Sequence, residues 1–138
     1  MLFIILLQIM TNQHPPTPLN VLGTPLQSCC NEPMTGYFRD GYCRTGPSDY
    51  GVHTVCAVMT EKFLNYTVTC GNDLKTPNPQ FRFPGLQPGD KWCLCAERWK
   101  EAEEAGVAPK VILESTDKKT LDFVSLDVLI NHKYEPTE

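Results

Sequence analysis

The sequence has no run of lysine or arginine. Its 12 basic side chains are outnumbered by 16 acidic ones, for a net charge of -4. It therefore offers neither a basic groove for nucleic acid nor a polybasic patch for an anionic membrane. Long apolar runs are also missing. The most apolar stretch, residues 1–10, is far shorter than the roughly 20 residues that cross a bilayer. It makes a poor secretory leader too, because no charged side chain precedes Glu32 and no small-x-small cleavage site follows the run. The reading that fits is a working start at Met10, opening a polar, proline-rich lead, with residues 1–9 a misassigned translation start. There is no phosphate-cradling glycine loop, no Gly-x-Ser-x-Gly and no His-Glu-x-x-His, which removes nucleotide hydrolysis, serine hydrolysis and zinc-protease chemistry. Nor is there a Cys-x-x-Cys knuckle, the spacing common to structural zinc modules.

What is present suits one ordinary domain. A chain of 138 residues with 41% hydrophobic content buries a real core without needing disulfide staples. Residues 1–18 read as a disordered apolar and proline-rich extension, 19–132 as a single domain and 133–138 as a tail. The 12 prolines fall mostly between elements. Seven cysteines are many, and an odd number cannot all pair within one chain. Without a convincing leader the expected compartment is the reducing cytoplasm, with thiols that are free, catalytic or metal-bound. A leader would reverse this, bringing disulfides and making Asn65-Tyr66-Thr67 a glycosylation candidate, although that sequon falls inside a predicted helix.

The organising stretch is Gly89 through Trp99. In an extended strand Cys93 and Cys95 share one face and Trp92 and Leu94 the other. The chain then turns helical, with Trp99 and Ala102 at helical spacing and Gly106 closing the helix. Upstream, residues 53–60 form a continuous apolar run that reads as a buried strand. Thr60 is placed to cap a helix over 61–70, with Gly71 after it. The order strand, acid, base, aromatic anchor and glycine thus occurs twice, which suggests two βα units side by side with their helices on one face of a sheet. Residues 110–114 and 121–124 read as two further strands, and Ser125 as the cap of a last helix. Residues 20–51 are rich in glycine and turns, with a short edge strand at Leu19, Val21 and Leu22, and with Tyr37, Phe38 and Tyr42 packing an ordered loop. Arg39 and Asp40 are expected to pin that loop by ion pairing, and Asn72 and Asp73 to make an Asx turn.

Several of these segments together carry a resemblance: Asn20 to Gly23, Cys29-Cys30, Thr35 to Cys43, His53 to Cys56, Gly71 to Leu74, Phe83 to Leu86 and Gly89 to Cys95. Over residues 19–131 the chain resembles the bacterial domain of unknown function 2237 family. The resemblance implies a small two-layer α/β domain of the α+β class and implies no activity. The family pattern carries a Thr-His pair after the third strand, where this chain has Thr116-Asp117, so a role for that histidine does not transfer.

Three kinds of chemistry compete for the thiols. A zinc site would draw on Cys29, Cys30, Cys43, His53, Cys93 and Cys95, since zinc takes four nitrogen or sulfur ligands in a tetrahedron. A nucleophilic cysteine would need a base and an acid. Asp49, His53 and Cys56 supply these types close in sequence, but strand alternation puts His53 and Cys56 on opposite faces, which makes Cys43 or Cys93 better partners for His53. A redox reading has Cys29, Cys30, Cys93 and Cys95 exchanging disulfides with distant partners. The plain alternative is that Cys56, Cys70, Cys93 and Cys95 are small buried hydrophobes, the preferred reading for Cys56 and Cys70. The sequence thus predicts an α+β sandwich on two βα units, with the glycine- and cysteine-rich loop 26–51 folded over the strand of Cys93 and Cys95. Its expected role is a thiol-based ligand- or zinc-binding module, ahead of a cysteine enzyme and of a purely structural or interaction module. A small molecule or a protein is the expected partner.

Overall fold

The structure is a computed structural model and describes residues 17–136. The readings made for residues 1–16 and for the last two residues lie outside the described residues.

Strand β1 (His53–Val58) occupies the middle of a three-stranded sheet in the order β2-β1-β3. Its inner residues are buried because it has a neighbour on each edge and a layer on each face. Thr60 then ends the strand in extended conformation and its hydroxyl accepts from the Phe63 amide, starting α1 (Glu61–Thr69). Helix α1 buries Phe63, Leu64 and Thr67, and Gly71 at φ +81° ends it. Strand β2 (Lys91–Cys95) pairs antiparallel with β1 and runs directly into α2 (Ala96–Glu104). The two strand-helix units are therefore neighbours, joined by an antiparallel ladder, with α1 and α2 in contact. The architecture is α+β.

The sheet separates two kinds of interior. Val55, Ala57, Trp92 and Leu94 join Phe63, Leu64, Trp99 and Ala102 in an apolar core. Trp99, fully buried, uses its indole N–H on the Pro109 carbonyl at 3.0 Å, which satisfies its only polar atom. Cys56 and Cys93 belong instead to a second cluster with Cys29 and Cys43, covered by Ile112. One face is closed by helices and the other by sulfur and loop.

The later chain departs from the strand pattern. Only Lys110–Val111 forms β3, beside β1, and Leu113–Ser115 turns into a 3-10 helix. The cause is Thr116. Its hydroxyl accepts from the Cys56 amide at 3.2 Å and donates to the Ile112 carbonyl at 2.8 Å, so a side chain takes the β1 amide that a longer strand would have used. The strand expected over 121–124 is likewise replaced by a 3-10 helix, Lys118–Asp122, capped when Asp117 accepts from the Lys119 amide. The expected edge strand at 19–22 is reduced to isolated bridges, Leu19 to Pro25 and Asn20 to Asp117. Helix α3 (Leu126–Asn131) closes the domain, capped by Ser125.

Candidate functional site

The covering loop is held down at several points along the sheet. The Ser115 hydroxyl donates to the Ser28 carbonyl at 2.9 Å, and the Gln27 amide to the Glu114 carbonyl at 3.0 Å. The Cys29 amide donates to the Gly41 carbonyl at 2.7 Å. Gly41 sits at φ +89°, and a side chain there would strike Asn31 and the Cys30 carbonyl. Fully buried Thr35 accepts from the Cys93 amide at 2.8 Å. The loop is pinned by an ion pair at Asp40, as expected, and by backbone carbonyls rather than a carboxylate at Arg39. Asp40 pairs with Arg44 at 2.6 Å, whereas Arg39 bonds the Gly36, Phe81 and Arg82 carbonyls and lies over the Trp92 ring. Its planar fork of donors suits several backbone acceptors at once.

Four sulfurs meet beneath this loop. Cys29 is bonded to Cys56 and Cys43 to Cys93, with Cα separations of 5.7 and 5.2 Å. The two pairs are themselves adjacent, because the sulfurs of Cys29, Cys43 and Cys93 all lie within 4.8 Å of one another. All four residues are buried. The expectation that the thiols are free therefore fails for these four: loop and sheet place them in direct contact. Cys56, read from its strand as an inert hydrophobe, joins the buried cluster through its bond to Cys29, since β1 turns it to the loop face opposite Cys93. Cys30, Cys70 and Cys95 are unpaired and half-buried. Cys29, Cys43 and Cys93 are the set whose ligand atoms could share an ion among the described residues; Cys56, Cys30, Cys95 and His53 do not join it. Cys43 and Cys93, the thiols preferred as nucleophiles beside His53, are bonded to each other and are no nucleophiles in this state.

His53 takes part in a different arrangement. Its Nδ1 lies 2.6 Å from Asp49 Oδ1, with the Asp49 side chain completely buried and that of His53 38% exposed. Asp49 Oδ2 also accepts from the His53 amide at 2.9 Å and from the Thr45 hydroxyl at 3.0 Å. The strand alternation expected to separate His53 from Cys56 does not hold, because the ladder shifts register at Thr54. His53 pairs with Cys95, then Val55 with Leu94, so one extra residue inverts the parity and returns His53 to the cysteine face. A bulge of this kind has no signal in the sequence. Asp117 is 8% exposed and its amide donates to the Thr54 carbonyl. Burial pushes its carboxyl above the ordinary value, against the opposing pull of the Lys119 amide and charge.

The clefts lie elsewhere. One of about 580 Å³ between Pro33-Met34 and Pro77, Phe83 and Pro84 touches neither a cysteine nor His53. A second of about 470 Å³ is lined by Thr45, Asp117, Lys118 and Lys119, and reaches the site through Thr45 on Asp49. No helix among the described residues is long and apolar enough to cross a membrane.

Residues 19–133 match the model of a family described as uncharacterized protein conserved in bacteria. The chain belongs to the DUF2237 family. Those residues include every helix and strand described above, the four bonded cysteines, Asp49 and His53. No curated protein matches the chain.

Proposed function

We propose that this DUF2237 protein is a thiol-based module whose four buried cysteines exist either as two disulfides or, once reduced, as a tetrathiolate site for zinc. The convergence of Cys29, Cys43 and Cys93 within 4.8 Å, with Cys56 attached to Cys29, is the observation that supports it. Thiolates around zinc stand about 3.8 Å apart when each zinc-sulfur bond is about 2.3 Å, a spacing the sulfurs of Cys29, Cys43 and Cys93 approach, with Cys56 swinging in as the fourth once its bond to Cys29 is reduced. The two states exclude each other. A dithiol reductant would supply two electrons and two protons to each disulfide, and binding of one Zn²⁺ by the four thiols would release four protons. A reducing cytoplasm is the setting that favours the metal-bound state. The acidic net charge supports a small ligand or a protein, rather than nucleic acid, as whatever senses the change.

The test is elemental analysis of untagged protein purified anaerobically with reductant and without chelator, alongside thiol counts in the native and denatured states. One zinc per chain, with four thiols exposed only on unfolding, is expected. Metal-free protein that keeps its disulfides in mild reductant would overturn the reading. It would favour a second one, in which both bridges are simply staples, a reading supported by the burial of all four cysteines.

A further inference from the structure

Asp49 and His53 form a buried-acid and exposed-imidazole pair that the sulfur cluster does not use. The contact through Nδ1 fixes the proton there and leaves Nε2 as the free base. Among the described residues Nε2 has no hydrogen-bond partner. The ring is also held in place: a Cβ on Gly51 would come within 2.5 Å of its Cε1, and Tyr37 stacks over it at 6.1 Å. Val52, between the two, takes φ +50°, a left-handed conformation that a β-branched residue adopts only under constraint. That constraint is visible in the Ala96 amide, which donates to the Val52 carbonyl at 3.0 Å and ties this turn to the end of β2.

Cys95 stands at that same end. It is the ladder partner of His53, so their side chains leave the sheet on the same face. It is unpaired and half-buried, and as the N-cap of α2 it makes no side-chain capping bond. We infer that Cys95 is a nucleophilic thiol, with His53 as its base and Asp49 as the residue that positions the base, and that it reacts with small organic disulfides.

Disulfide displacement is the thiol chemistry with the least further demand, because it runs in line at sulfur and needs no oxyanion hole. The Cys95 proton passes to His53 Nε2, and the sulfur attacks one sulfur of R–S–S–R. A Cys95–S–S–R bond forms, the R–S–S–R bond breaks, and the departing thiolate takes the proton from His53 to leave as RSH. This inference does not rest on the zinc reading. The four clustered sulfurs stay oxidised throughout.

The test uses the oxidised, metal-free chain and 5,5′-dithiobis(2-nitrobenzoate), whose released thiolate is coloured. One thiol should react in a fast phase, and peptide mapping of the wild-type product should place the label on Cys95. Cys95→Ser should abolish that phase, and His53→Gln should slow it by about 10²-fold, the lower range for a general base. Asp49→Asn should slow it as well and remove the downfield Nδ1 proton signal of His53, with thermal unfolding measured for each variant. Label on Cys30 or Cys70 in the wild-type chain, or a Cys95 rate unchanged in folded His53→Gln, would overturn the inference.

Discussion

At the scale of single residues, buried polar groups are the ones that respond to solution conditions. Asp117 is kept from water, and its raised carboxyl pKa means that the folded state holds the proton more tightly than the unfolded chain. Its favourable contribution is complete below the ordinary carboxylate range and is lost as pH rises through the raised value, so toward neutral pH the buried carboxyl is a cost. Asn at this position keeps an oxygen to accept from the Lys119 amide, a bond that is 2.8 Å long. Asp117→Asn should therefore melt higher than the wild-type chain at pH 7, with the gap closing as pH falls below the ordinary carboxylate range. Thermal scans of both chains across that range check the sign. Residues of this kind were legible in the sequence only as types. Asp49 and His53 could be named as acid and base, but Thr35 and Thr116, which take the amides of Cys93 and Cys56, gave no signal because their partners are 58 and 60 positions away.

At the scale of elements, local rules succeeded where local bonds decide. Thr60 and Ser125 cap the helices that follow them, and Gly71 and Gly106 take the positive φ that ends a helix. Thr60→Ala should cost about 1 kcal/mol, the usual value of a lost N-cap, measured as a shift in the denaturant midpoint with unchanged slope. The failures are equally physical. Runs 110–114 and 121–124 carry strand-like residues, yet side-chain hydroxyls and a carboxylate captured the nearby backbone and wound both into 3-10 turns. The two strand-helix units were recognised from their shared order of residues, but their antiparallel pairing and the bulge at Thr54 depend on tertiary contacts.

At the scale of the whole molecule, the sheet has an ordinary apolar face and a second face whose interior is four sulfurs. The alternation in β2 made the division visible in advance for Trp92, Leu94 and Cys93. What stayed hidden was which loop cysteine meets which strand cysteine, because Cys29 and Cys43 arrive from a segment with no periodic pattern.

Both bridges also span one exposed point of the backbone. Tyr50, 93% exposed, lies between Cys43 and Cys56, so each bridge joins a residue before it to one after it. Chymotrypsin cutting after Tyr50 would separate the peptide chain into 1–50 and 51–138 and part Asp49 from His53, yet leave both pieces in one covalent body. Limited digestion of oxidised protein should thus give one band on a non-reducing gel and two on a reducing gel, and fragments that separate without reductant would contradict the pairing. A nick at Tyr50 would turn the bridges from braces of a loop into the only covalent link between two chains.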